Sequence, residues 1–465
     1  MAEKQEPKIS DETGQSVPSA SSSLRLFKYS PISRPSHVTL SGSLLSPSTV
    51  ESTDMRGLFN LFVMLLVALN ARLVVENVYR YGWLIPNPLS VFTLSTNVSV
   101  YLVYLFLFIF PGVTFCVERY VAPLSSGSRW APFLLHLLTI AVVVMLPYFA
   151  VEQTDDFYGG SIVVLACSAV YVMKIVSYVQ VCSDIQRAKR LGCLGEVMSA
   201  EELKIAEKYP ECLTVRQWYE FVAFPTLSFQ LWYPRNARVS KLTVLRYLAE
   251  LVFCCSLITI LTEQYMKPLL KNAHVHMSRH YEDRNLGPLI TFTLEHWLKL
   301  IVPSIYIWLL SFIALFHCYL NLLAELTMFG DRRFYDTWWN AVSFREYWQK
   351  WNLPVHKWMV RHVYGPCRAS GLPPILNALM VFILSGLVHE YIIVIPLHLR
   401  MNGVISMAFI VQIPLIMLTD TGFVKARPVL GNCLFWFTNC FTGQPVAILL
   451  FFLLRQGQAS GTGQL

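Results

Sequence analysis

The sequence is short of charge. Asp, Glu, Lys and Arg make up only 14% of its 465 residues, against about 25% in soluble domains. That shortage excludes an ordinary cytosolic domain and a wholly disordered chain. Paired cysteines are also missing. The eleven cysteines are scattered and no CxxC occurs, so neither a secreted disulfide scaffold nor a zinc site is expected. Residues 1–56 are polar with no early apolar core. No secretory leader is read there, and the first membrane helix is the expected insertion signal. Catalytic signatures are missing too: no GxSxG, no P-loop, no GxGxxG before a helix and no HxxxxD. His389-Glu390 opens like HExxH, but position 393 is Ile, which excludes a zincin.

What the sequence has in excess is apolar length. Hydrophobic residues make up 54% of it, and crossing a bilayer takes about 20 of them as a helix. Spans are predicted near 58–78, 98–117, 131–151, 161–181, 244–266, 288–326, 375–399, 402–421 and 429–454. The expected fold is an all-α polytopic membrane protein of about nine helices. A Ser- and Pro-rich tail, residues 1–56, is expected to be disordered. A transmembrane domain follows over 57–455, and a short polar tail over 456–465.

Lys and Arg are unevenly spread. Loops 182–243 and 327–374 are rich in them, and 82–97 and 152–160 have none. By the positive-inside rule the N-terminus and the two basic loops are cytosolic. The exception is 267–287, with Lys267, Lys271, Arg279 and Arg284. The net charge of +8 is thus read as a record of orientation and not of nucleic-acid binding. No inverted repeat of the transporter kind is visible.

A few polar side chains interrupt the spans. His389 lies deep in FILSGLVHEYIIVIPL, with Ser385 one turn back on the same face and Glu390 adjacent. An ionisable group at that depth is costly and marks a function or an interhelical hydrogen bond. Neutral imidazole is also the natural general base near neutral pH. His317, Asn321 and Glu325 form an i, i+4, i+8 stripe, read either as helix glue or as substrate lining. Arg72 and Glu76 are expected to neutralise each other. His274, His276 and His280 are read as polar loop residues and not as a metal site. Loop 327–374 is dense in Trp, Tyr, Arg, Lys and His. That composition suits the membrane interface or a phosphate-bearing, partly apolar ligand such as acyl-CoA.

These residues resemble the membrane-bound O-acyltransferase superfamily, in its sterol and diacylglycerol acyltransferase branch. The branch carries FYxDWWN in a cytosolic loop and a buried His on a later helix. Here Phe334, Tyr335, Trp338, Trp339 and Asn340 match, then His389; Asp336 and Thr337 stand between the Tyr and the first Trp. The stretches FPTLSFQLWYPR (224–235), FHCYLNLLAEL (316–326), WNLPVHKWMVRHVYGP (351–366), HEY (389–391), QIPL (412–415) and GQP (443–445) are similar to the diacylglycerol-acylating group of that branch. The resemblance covers roughly residues 55–450. The C-terminus departs from the group, because the chain ends soon after GQPVAILLFFLL.

The resemblance implies a helical bundle enclosing a reaction chamber in the endoplasmic reticulum membrane. It implies acyl transfer from acyl-CoA to diacylglycerol, with acyl-CoA as co-substrate and no other cofactor or metal. It also implies a homodimer or homotetramer, surrounded by membrane lipid and making no use of nucleic acid. His389 is the expected general base, Asn340 the donor to the thioester oxygen or a holder of the acyl-CoA, and Glu390 a support for His389 through another helix. Ser385, Gln412 and Gln444 are expected to border the chamber. Trp338, Trp339, Asn352, His356 and Lys357 are expected to line the acyl-CoA entrance, with Asp336 and Thr337 among the substrate-binding residues. Acylation of a sterol or long-chain alcohol, and a membrane transporter without ester chemistry, are the alternatives.

Overall fold

The structure, a computed structural model, describes residues 56–85, 98–124, 130–154, 158–282 and 286–461. The expected disordered tail and most of loop 82–97 lie outside the described residues. The chain divides into two units, Met1–Leu73 and Val74–Leu465. Of the first, only the start of helix α1 (Arg56–Tyr81) is described.

From Val74 onward the regular elements among the described residues are helices, with no strand beyond an isolated bridge between Arg235 and Phe329. The long helices are α2 (Val98–Val121), α3 (Trp130–Glu152), α4 (Tyr158–Leu191), α6 (Lys241–Val275), α7 (Ile290–Leu326), α10 (Pro374–Leu397) and α12 (Pro428–Arg455). Shorter ones lie between them: α5 (Val215–Ala223), α8 (Phe344–Lys350), α9 (Leu353–Met359) and α11 (Val404–Thr419).

All nine predicted spans are helices, but among the described residues seven are long and apolar enough to cross a membrane. The eighth, α11, has 16 residues, and at 1.5 Å per residue reaches only about 24 Å. The first, α1, carries Arg72, Glu76 and Arg80. The chain is a multi-pass membrane protein.

Three other expectations change. Glu76 pairs with Arg80, at 2.8 Å, and not with Arg72, because both pairs share the i, i+4 spacing. The segment after Met266 is helical to Glu282, so His274 sits on a helix, its ring 6.4 Å from that of Phe452. The side chains of His276 and His280 are not described. Finally, the helix that ends α12 runs on to Gly461, where a polar tail was expected.

Between membrane helices apolar burial supplies little preference over lipid, so polar contacts and close backbones carry the packing. Ser168 Oγ and Tyr391 Oη donate to the carbonyls of Val143 and Val144 at 2.8 Å, joining α4 and α10 to α3. Trp297 Nε1 donates to Phe441 O, joining α7 to α12. At Gly386 a Cβ would stand 2.7 Å from Ser406 Cα, so only glycine lets α10 meet α11.

The two basic loops are folded. Ser343 and Asn352 cap α8 and α9. Phe344, Tyr347, Trp358 and Met359 are buried. Here water is the reference, and each buried aromatic contributes roughly 2–3 kcal/mol of apolar transfer. A buried lysine, Lys174 of α4, donates to the carbonyls of Phe221 and Phe224 at 2.7 and 2.9 Å. It thereby ties the C-terminus of α5 to the membrane helices.

Candidate active site

Helix α10 opens on Pro373-Pro374, whose fixed φ suits a first turn. Four turns later, His389 Nδ1 lies 2.7 Å from the carbonyl oxygen of Ser385. A carbonyl only accepts, so in the neutral ring Nδ1 carries the proton and Nε2 keeps its lone pair. Nε2 makes no hydrogen bond among the described residues. His389 is solvent-accessible although it stands within an apolar span. The serine therefore acts here through its backbone, and its side chain is half-buried.

Glu390 is 1% exposed and turns away from His389. Its carboxylate accepts from the backbone N–H of Gly403 and, at 2.6 Å, from Ser406 Oγ. It thereby caps the N-terminus of α11. That helix presents Phe409, whose ring centroid is 4.6 Å from that of His389. Gln412, one turn further along α11, donates to Ala408 O at 3.3 Å.

A chain of rings leads from Phe409 to the loop. Trp348 of α8 lies 5.7 Å from Phe409, Tyr347 lies 5.1 Å from Trp348, and Trp338 lies 6.2 Å from Tyr347. Trp338 belongs to a cluster with Trp308, Phe312 and Trp351, each about 5 Å away. It is 2% exposed, so it builds the floor of the loop and does not line an open entrance, as the sequence reading had it. Trp339 beside it is exposed.

Asn340 ends the single turn Trp338–Asn340. Its side-chain amide is exposed and makes no hydrogen bond among the described residues. The turn around it is fixed from α12, where Asn432 Nδ2 donates to Trp339 O at 3.0 Å and to Ala341 O at 2.9 Å. A Cβ at Gly431 would fall 2.2 Å from Val342 O, so a glycine is required for that approach. Asn340 and His389 share no contact; the ring chain and α11 connect them.

Several of the other expected residues have local partners. Asp336 pairs with Arg333 and accepts from Thr337 N at 2.8 Å. The Thr337 amide, with Arg333 beside it, holds the Asp336 carboxyl below the usual carboxylate range. Asn352 Oδ1 accepts from Val355 N, Lys357 lies 3.5 Å from Asp331, and burial pushes His356 down. Gln444 is half-buried at the start of the last helix. Sequence reasoning passed over Phe409, Trp348, Ser406 and Asn432. Only Asn432, polar within an apolar run, carried any signal.

The polar stripe on α7 is used as well. His317 Nδ1 meets Tyr335 Oη at 2.9 Å, Asn321 Nδ2 donates to His317 O, and Glu325 pairs with Arg332 at 2.6 Å. Glu325 also accepts from Ser240 N, at the cap of α6. A cleft of about 520 Å³ opens beside them.

The profile of the membrane-bound O-acyltransferase family matches residues 170–453. A soybean protein named diacylglycerol O-acyltransferase 1C is 36% identical to 92% of the chain, over 80% of its own length. An Arabidopsis thaliana protein named diacylglycerol O-acyltransferase 1 is 34% identical, over 93% of the chain and 80% of the relative. A human protein of the same name is 33% identical, over 89% and 82%.

Proposed function

The chain belongs to the membrane-bound O-acyltransferase family, and on that footing we propose that it acylates the free hydroxyl of 1,2-diacylglycerol from fatty acyl-CoA, yielding triacylglycerol and CoA. Relatives named for diacylglycerol acylation, similar over about nine-tenths of the chain, support this acceptor. One observation carries the mechanism: His389 has Nδ1 committed to a carbonyl and Nε2 uncommitted, inside an apolar span.

His389 Nε2 takes the proton of the acceptor hydroxyl as that oxygen attacks the thioester carbonyl carbon. The carbonyl oxygen becomes an oxyanion, and the Asn340 amide donates to it. The C–S bond then breaks, the carbonyl re-forms, and the imidazolium returns its proton to the CoA thiolate. The acyl group passes directly to the acceptor with no acyl-enzyme. The thioester supplies the activation, so the reaction needs no cofactor or metal. Glu390 positions His389 indirectly, by fixing the helix that carries Phe409. Ser385, Gln412 and Gln444 border the chamber. Trp339, Asn352, His356 and Lys357 face acyl-CoA, and Asp336, Thr337 and Trp338 shape their loop.

The enzyme works as a homo-oligomer in the endoplasmic reticulum membrane, with its N-terminus and both basic loops in the cytosol, where acyl-CoA is met. Purified protein given oleoyl-CoA and dioleoylglycerol should form triolein. Cholesterol or hexadecanol as the preferred acceptor, or no ester at all, would overturn the reading. Cysteine labelling from the cytosolic side should reach position 345 and not position 90; the reverse would overturn the orientation.

A further inference from the structure

We propose that the cleft beside α6 and α7 is a docking site for the uncharged glycerol head of the lipid acceptor, outside the catalytic centre. The inference rests on the diacylglycerol reading above and gives it an address.

Tyr247, His317, Asn321, Arg332, Arg333 and Tyr335 line the cleft. It lies at the ends of α6 and α7 that join the two basic loops. Along α6, beside Tyr247, the apolar residues Leu242, Leu245, Leu248 and Val252 are exposed. In a bilayer they face acyl chains, so a lipid meets the cleft with its head at the level of the loops.

The cleft has unused hydrogen-bonding capacity. Asn321 is 7% exposed; its Nδ2 is spent on His317 O, while its Oδ1 accepts nothing among the described residues. His317 has Nδ1 against Tyr335 Oη and Nε2 without a partner there. Depending on which way the Tyr335 hydroxyl points, Nε2 is an acceptor or a donor. A hydroxyl can satisfy either state, and an ester carbonyl the second. A glycerol head with one hydroxyl and two ester carbonyls offers both.

Charge selects against a phosphate. The two cations that line it are both paired, Arg332 with Glu325 and Arg333 with Asp336, so an anionic head would compete with a carboxylate for each. An uncharged head needs no such exchange.

The test uses full-length protein in nanodiscs and a diacylglycerol carrying a photoreactive diazirine beside one ester. In a His389→Ala background the probe is not consumed. Labelling should map to residues 313–335 and be competed by dioleoylglycerol, but not by oleoyl-CoA or dioleoyl phosphatidic acid. In the otherwise intact enzyme, Asn321→Leu should raise KM for dioleoylglycerol about tenfold and leave KM for oleoyl-CoA within twofold. Should that variant fail to fold, His317→Gln is to be measured in the same way. Competition by oleoyl-CoA or by phosphatidic acid would overturn the proposal. So would an unchanged KM for dioleoylglycerol in a monodisperse variant. An intact enzyme that makes triolein but leaves 313–335 unlabelled overturns the cleft alone. An intact enzyme that makes no triolein overturns the diacylglycerol reading, whatever is labelled.

Discussion

His362 and His389 sit in regions built on different rules. His362, in the folded loop, is 5% exposed and fully engaged. Its Nε2 accepts from Ser177 Oγ at 2.8 Å and its Nδ1 donates to Gln180 Oε1 at 2.7 Å. Ser177 in turn accepts from Phe229 N. Every polar atom of that group has its partner, and the group clamps α4 to the loop. His389 stands within a membrane span with one nitrogen tied to its own helix and the other uncommitted. A Ser–His–Gln arrangement resembles a catalytic relay on paper, yet here it is a clasp. Of these two histidines, only His389 has a ring nitrogen left uncommitted among the described residues.

The sharpest way to break that contrast is to remove each ring. His389→Ala should cut acyl transfer about 100-fold or more, with an unchanged size-exclusion profile. More than about a tenth of the original rate would sink the general-base role. Asn340→Ala should follow, lowering turnover at saturating oleoyl-CoA about 100-fold, because in the proposed mechanism its donor acts where charge develops. Trp338→Phe should instead lower Tm, since Trp338 is buried among aromatic rings, and leave turnover per folded molecule within about twofold. An Asn340→Ala enzyme with altered acyl-CoA affinity and intact turnover would make Asn340 a binding residue.

The sequence made the spans and the His389 helix legible because a bilayer demands long apolar runs and penalises each exception. It left the loop's architecture hidden. A run such as FYDTWWNAVSFREYWQKW reads as an interfacial segment, since the same aromatics suit a lipid surface and a packed core. Only tertiary contacts turn Trp338 inward and Trp339 outward. Phe409 and Ser406 were invisible for the opposite reason: a Phe or a Ser in an apolar helix carries no exception to notice. The partner of Glu76 was ambiguous because Arg72 and Arg80 are equally spaced from it.

Between the two histidines stands Glu390, polar and buried but not reacting. Glu390→Ala leaves Gly403 N–H and Ser406 Oγ without their acceptor, at about 1–3 kcal/mol of stability. It also frees α11, and with it the ring that faces His389. Turnover should fall about tenfold, as misplacement by a fraction of an ångström does, while KM for both substrates changes little. Glu390→Gln keeps one acceptor oxygen and should fall in between. Loss of stability with turnover intact would reduce Glu390 to a helix cap with no bearing on His389.

The smallest expected effect tests the clasp itself. Burial, reinforced by Arg361, pushes His362 down from 6.5 to about 4. A histidine whose folded pKa is depressed stabilises the fold fully above its unfolded pKa and loses that contribution as pH falls. Above about 6.5 the ring is neutral in both states. Between about 6.5 and 4 the unfolded chain takes up a proton that the folded one refuses, because Nε2 must stay an acceptor for Ser177. Tm should therefore decline between pH 7 and pH 5, before the carboxylates of Asp336 and Glu346, both held below their usual range, begin to protonate. His362→Gln should lower Tm at pH 7, where the intact clasp contributes most, and flatten the decline towards pH 5. His356, which burial also pushes down, leaves a residual slope in that variant; a slope as steep as that of the intact protein would remove His362 as an acid-sensitive point of the loop.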